Sequence, residues 1–113
     1  MRADIKELIE NNLVCVLATV SGASPHCSLM SYATDTDCQE IYMVSQKNTK
    51  KYQNLTKNPA VSLLIDSRET SLPRDKKRPL ALTVTGTFQK DAPEEKKQAI
   101  RELLRERHPG LRA

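Results

Sequence analysis

The chain has 113 residues, of which 38% are hydrophobic and 28% charged, with a formal net charge of +4 and a sequence pI of about 9.1. That length fits one domain with a real but marginal core, and that composition excludes a disordered chain. One Phe, three Tyr and no Trp argue against a stacking platform for single-stranded nucleic acid, whereas the modest positive excess suits an anionic ligand such as a phosphate ester and permits weak, salt-sensitive nucleic-acid binding.

Residues 3–12 are predicted helical, because Ile5, Leu8, Ile9 and then Leu13 follow the i, i+3, i+4 spacing and Asn11-Asn12 stops it. Residues 13–20 are short, β-branched and apolar on both faces, which predicts a buried central strand. Ser21-Gly22-Ala23-Ser24-Pro25 reads as a turn, and residues 26–33 as a second strand joined to the first in an antiparallel hairpin. One face of that strand carries His26, Ser28, Met30 and Tyr32; the other carries Cys27, Leu29, Ser31 and Ala33. Thr34-Asp35-Thr36-Asp37 turns the chain into a third strand over residues 40–45.

The stretch from Ser45 to Leu55 organises the reading. Tyr52 and Leu55 have helical spacing, and Asn58-Pro59 ends the helix. Asn48 is the expected N-cap, which puts Thr49, Lys50 and Lys51 in the first turn with Lys47 just before it. Cations there oppose the helix dipole at a cost of roughly 0.3–1 kcal/mol each when exposed. An anion held by the same N–H groups and ammoniums would reverse that sign. A solvated basic helix start is the plainer alternative.

Beyond Pro59, residues 60–66 read as a fourth strand with Val61, Leu63 and Ile65 on one face. Residues 67–78 are the most polar stretch and long for a loop: a flexible excursion or a binding loop. Pro79 opens a fifth strand with clean alternation. Leu80, Leu82, Val84, Gly86 and Phe88 share one face; Ala81, Thr83, Thr85 and Thr87 share the other. Asp91 and Glu94 form a capping-box pattern for a last helix running to about Arg107, stopped by His108-Pro109-Gly110. The fold class is mainly β (α+β), a small antiparallel barrel with flanking helices.

Cys15, Cys27 and Cys38 form no CxxC, and their odd number argues against a disulfide framework. Cys15 and Cys27 are expected as buried thiols, and no metal site is expected. The charged N-terminus lacks a signal-peptide core and no apolar run approaches a membrane span, so a cytoplasmic protein without membrane contact is expected.

Several of these segments recur together. Leu17-Ala18-Thr19-Val20, Gly22, Pro25-His26, Ile41-Tyr42-Met43-Val44-Ser45, Thr49-Lys50-Lys51-Tyr52-Gln53-Asn54-Leu55, Asn58-Pro59-Ala60-Val61-Ser62-Leu63-Leu64 and Thr83-Val84-Thr85-Gly86-Thr87 come in order at fitting intervals. Together they resemble the pyridoxamine 5'-phosphate oxidase-like FMN-binding split-barrel superfamily over roughly residues 5–108. The resemblance implies a single split-barrel domain over residues 1–113 and a homodimer with FMN at the subunit interface. It implies that Thr49, Lys50 and Lys51 grip the FMN phosphate and that Ser45 and Gln46 reach the flavin from the strand end. It places Ser28, Leu29, Met30 and Ser31 along the isoalloxazine ring, Leu29 and Met30 as wall and Ser31 as a hydrogen-bonding group.

There are departures from the family pattern. Ser28 stands where pyridoxamine phosphate oxidases carry an Arg that also holds the phosphate, and their C-terminal Arg and His pair has no counterpart, which argues against pyridoxamine phosphate as substrate. The family's closing C-terminal strand is also missing before Ala113: the chain is truncated, or a partner subunit covers that sheet edge. The function implied is an FMN-dependent oxidoreductase acting on an unidentified small molecule. The alternatives are a non-enzymatic FMN carrier or electron-transfer protein, or a haem- or deazaflavin-binding relative. No catalytic residue is assigned; His26 is a candidate acid/base, though a His beside a turn Pro is more often structural. A third hypothesis, nucleic-acid binding through Lys47, Lys50, Lys51, Arg74, Lys76, Lys77 and Arg78, has no reader motif behind it and is not favoured.

Overall fold

The structure is a computed structural model that describes residues 2–67, 81–90 and 92–110. Among these, three helices and six strands follow in the order α1 (Ala3–Asn11), β1 (Val14–Ser21), β2 (Ser24–Ser31), β3 (Ala33–Thr34), β4 (Ile41–Tyr42), α2 (Lys50–Lys57), β5 (Ala60–Asp66), β6 (Ala81–Thr87) and α3 (Glu94–Arg107). An antiparallel sheet of order β2-β1-β5-β6 carries the core, and β3 pairs with β4 in a separate two-stranded sheet. This is the expected α+β class. Most of the loop expected over residues 67–78, the strand start at Pro79 and Leu80, and the proposed cap Asp91 lie outside the described residues.

The central position of β1 follows from its sequence, since a strand apolar on both faces must be covered on both. Its register sets the two sides of the sheet. Cys15 faces Met30, Leu17 faces both Ser28 and Leu63, and Thr19 faces His26. Leu63 in turn faces Val84, and Ile65 faces Leu82. These positions form the inner side, where Cys15, Leu17, Met30, Leu63 and Ile65 join Leu8 and Ile9 of α1 and Tyr32 in one core. Burial pushes the Cys15 thiol up to about 11, so it behaves as a small core hydrophobe.

The other side of the sheet is the more exposed one among the described residues. Across it run Leu29, Val16, Leu64 and Thr83 in register, followed by Cys27, Ala18, Ser62 and Thr85. Leu29 is 72% exposed and Leu64 39%. Cys27 is exposed too, against the expectation of a buried thiol, because its pairing with Ala18 puts it on this side.

The second expected strand divides at Tyr32. Tyr32 and Ala33 are both fully buried, so the alternation breaks as the chain leaves one sheet for the other. The third expected strand contracts to Ile41–Tyr42. The last helix starts at Glu94 behind Pro93 with no side-chain cap, so Glu94 is its first residue and not the third of a capping box. Acid in its first turn and Arg105 and Arg107 in its last still match the dipole.

The end of α1 is completed by side chains. The last carbonyls of a helix lack intrahelical donors. Here Asn12 Nδ2 donates to Leu8 O at 2.7 Å, the Tyr32 hydroxyl donates to Ile9 O, and Arg107 donates to Glu10 O at 2.9 Å and to Asn12 O at 3.0 Å. His108 follows, its Nε2 2.8 Å from Tyr32 O. A guanidinium at this pole also interacts favourably with the negative end of the dipole. Arg107→Ala is therefore expected to lower stability by about 2 kcal/mol and Tyr32→Phe by about 1 kcal/mol, measured as shifts in the urea midpoint at constant slope.

Candidate functional site

The site is built around the start of α2. Its sequence, Lys50–Lys57, is polar, and only Asn54 and Leu55 are buried. Thr49 has extended backbone and its side chain accepts from Tyr52 N at 3.2 Å. Thr49 is thus the N-cap, one residue later than the Asn48 expected, because its hydroxyl reaches the N–H three residues on while Asn48 stays exposed. The shift moves Thr49 out of the first turn and makes Lys50 and Lys51 its first two residues. Their N–H groups have no acceptor within the helix.

Hydroxyls gather at the same point. Thr49 Oγ1 donates to Gln46 O at 2.9 Å, and Ser45 Oγ lies 3.3 Å from Thr49 Oγ1 and donates to Gln46 O at 3.2 Å. Lys47 and Lys50 are exposed, and neither is paired with a carboxylate among the described residues. Lys51 turns inward, donating from Nζ to Met30 Sδ at 3.1 Å. The donors collected here are two N–H groups without an acceptor inside the helix and the ammoniums of Lys47, Lys50 and Lys51, with no carboxylate paired to them among the described residues; the hydroxyls of Ser45 and Thr49 donate to Gln46 O. That set can hold a phosphate or another compact anion.

Three contacts aim α2 at the sheet. Asn54 Nδ2 donates to Thr19 Oγ1 at 3.2 Å, and both side chains are buried. The rings of Tyr52 and Phe88 meet edge to face with centroids 6.2 Å apart, tying the helix to the end of β6. Lys51 reaches β2. Asn54 was not singled out beforehand, although an Asn inside a helix and a Thr inside an apolar strand are each poor fits locally and so signal a polar pair.

The expected ring-binding residues separate. Ser28 and Met30 face inward, opposite Leu17 and Cys15, and Met30 meets Lys51. Leu29 sits on the more exposed side with Val16, and Ser31 shares that side opposite Val14. Within the chain, then, Ser28, Met30, Ser45, Gln46, Thr49, Lys50 and Lys51 belong to one side and Leu29 and Ser31 to the other. His26 is half-buried opposite Thr19. Among the described residues no group of His, Cys, Asp and Glu could hold a metal ion, and no helix is long and apolar enough to cross a membrane.

The chain matches the pyridoxamine 5'-phosphate oxidase family over residues 1–111. No curated protein matches it. Among solved structures it is similar to a conserved hypothetical protein of Mycobacterium tuberculosis, at 22% identity and a TM-score of 0.79 over 100% of this chain and 67% of that one. It is similar to a FAD-binding protein of Mesorhizobium loti, at 19% identity and a TM-score of 0.75 over 100% of this chain and 81% of that one. A third similar structure is the haem storage protein HutZ of Vibrio cholerae, at 22% identity and a TM-score of 0.71 over 96% of this chain and 77% of that one. These likenesses establish the fold as a split barrel. The cap makes a prediction independent of any ligand. Thr49→Ala is expected to cost about 1 kcal/mol and Thr49→Ser little, read from chemical denaturation together with faster amide exchange at Tyr52.

Proposed function

Because the chain belongs to the pyridoxamine 5'-phosphate oxidase family, we propose that it is a flavoprotein that binds FMN and uses it in the oxidoreduction of a small molecule. The observation that carries this reading is the start of α2: N–H groups of Lys50 and Lys51 without an acceptor inside the helix, and cations with no carboxylate paired to them among the described residues. A phosphate ester dianion converts that unfavourable set into charge-assisted hydrogen bonds. The flavin supplies hydride and electron transfer when bound. The chain's part is to bind and orient it and to keep water from one face of the ring. Ser28 and Met30 supply the wall from the inner side of β2. Ser28 in place of a second phosphate-binding Arg leaves the phosphate mainly to α2, and argues for a substrate other than pyridoxamine phosphate.

A second copy of the chain completes the site in this reading. The more exposed side of the sheet, with Leu29, Val16 and Leu64 in one row, is the apolar surface this reading gives to the partner. Leu29 and Ser31 then belong to the subunit interface, and FMN lies between subunits. Support for a flavin comes from the FAD-binding relative, while the haem storage relative shows why the chromophore has to be read directly.

An absorption spectrum of the purified protein is expected to show the two flavin bands and no Soret band; a colourless protein that takes up no FMN on titration sinks the proposal. Lys50→Ala is expected to weaken FMN binding by about 1.5–3 kcal/mol, roughly ten- to a hundredfold, in a fluorescence titration. Leu29→Asp is expected to convert a dimer into a monomer by sedimentation and to lose FMN with it; a monomeric native protein that still binds FMN overturns the shared site.

A further inference from the structure

We infer that Thr19, on the middle strand, is a positioning residue for the anion site at the start of α2: through Asn54 it sets the roll of the helix, and with it the preference for a phosphorylated flavin over the bare one. The inference rests on the FMN reading above and concerns how the phosphate end of that site is aimed. Thr19 is 3% exposed and Asn54 2%, and the Asn54 amide donates to the Thr19 hydroxyl at 3.2 Å. Each is out of place in its own element. β1 is otherwise apolar from Val14 to Val20, and an Asn inside a helix gives up propensity. A pair kept for stability alone is replaceable, since two apolar groups of the same shape do nearly as well.

Helix geometry gives the pair a further effect. Asn54 lies three residues after Lys51 and four after Lys50, so all three share one face, with the lysines a turn nearer the N-terminus. A contact held at Asn54 therefore fixes the direction in which both lysines leave the helix. The other ties of α2 guide it less sharply. Leu55 is buried, but apolar burial has no direction. Tyr52 meets Phe88 edge to face, an arrangement that tolerates ring separations of about 4.5–7 Å. A hydrogen bond instead weakens steeply once its angle falls below about 120°. A roll of about 20° moves backbone atoms by less than about 1 Å, but side-chain atoms at the helix surface by about 2 Å. That displacement parts an ammonium from a phosphate oxygen. The ring is spared, because the wall assigned to it, Ser28 and Met30, is held by the pairing of β2 with β1.

The test titrates FMN and riboflavin, the same ring without the phosphate, and takes the ratio of the two dissociation constants. Unfolding part of the protein weakens both ligands alike and leaves that ratio unchanged. Thr19→Val keeps the shape of the side chain and removes the acceptor. Thr19→Val combined with Asn54→Leu also removes the donor, so no buried amide is left unpaired. The double variant is expected to recover the urea midpoint that the single one loses. Both are expected to keep their riboflavin affinity and to lose the preference for FMN by roughly tenfold or more. Thr19→Ser retains the hydroxyl and is expected to retain the preference. A native ratio in either Val variant, or a ratio that returns together with the urea midpoint in the double variant, assigns the pair to stability alone; it overturns the inference and leaves the FMN reading intact. A native protein that takes up no FMN, or that binds riboflavin as tightly, overturns both.

Discussion

The hydrogen bond between Asn54 and Thr19 is the constraint on which the site depends. α2 is eight residues long, mostly polar, and too short to persist by itself. It buries two side chains, and one of them is an amide that must find a partner on the sheet. Thr19 supplies it from the middle strand. An apolar contact could slide along the helix; a buried amide on a buried hydroxyl fixes both rotation and depth. With that rotation set, Lys51 falls toward β2 and Tyr52 toward Phe88, while the capped N-terminus faces Ser45. The placement of every donor at the helix start is inherited from a contact more than one turn away.

The sheet illustrates how one register assigns two unrelated duties. Cys15, Leu17 and Thr19 of β1 are buried, and the residues between them are half-exposed. The inner side makes the core and the floor under α2. The outer side, with Leu29 and Leu64 in view, is the kind of surface that water covers poorly. A shift of one residue between β1 and β2 would exchange Met30 for Leu29 and leave Lys51 facing a different side chain.

Much of this was legible in the order of residues. Element types followed from local pattern, because the alternation of β6, the helical spacing of α1 and the punctuation at Asn58-Pro59 are properties of adjacent residues. The two faces of β2 were separable from sequence as well. Which of them is inner was not: the side with His26 and Ser28 looks wetter, yet it packs inward, and the side with Leu29 is exposed. That choice is made by β1, not by β2, and it is why Cys27 was misplaced. The cap at Thr49 was missed by one position because Asn and Thr are both able caps and only the reach to Tyr52 decides between them. The break at Tyr32 was hidden because its ring is claimed by α1, far back in the chain.

The end of α1 has a temporal consequence. Its carbonyls are answered by Tyr32 and, almost a full chain length later, by Arg107. Closing so wide a span carries most of its entropic cost before any contact repays it. The helix's own hydrogen bonds need only neighbouring residues, so its trailing edge is the part of it that depends on the far end of the described chain.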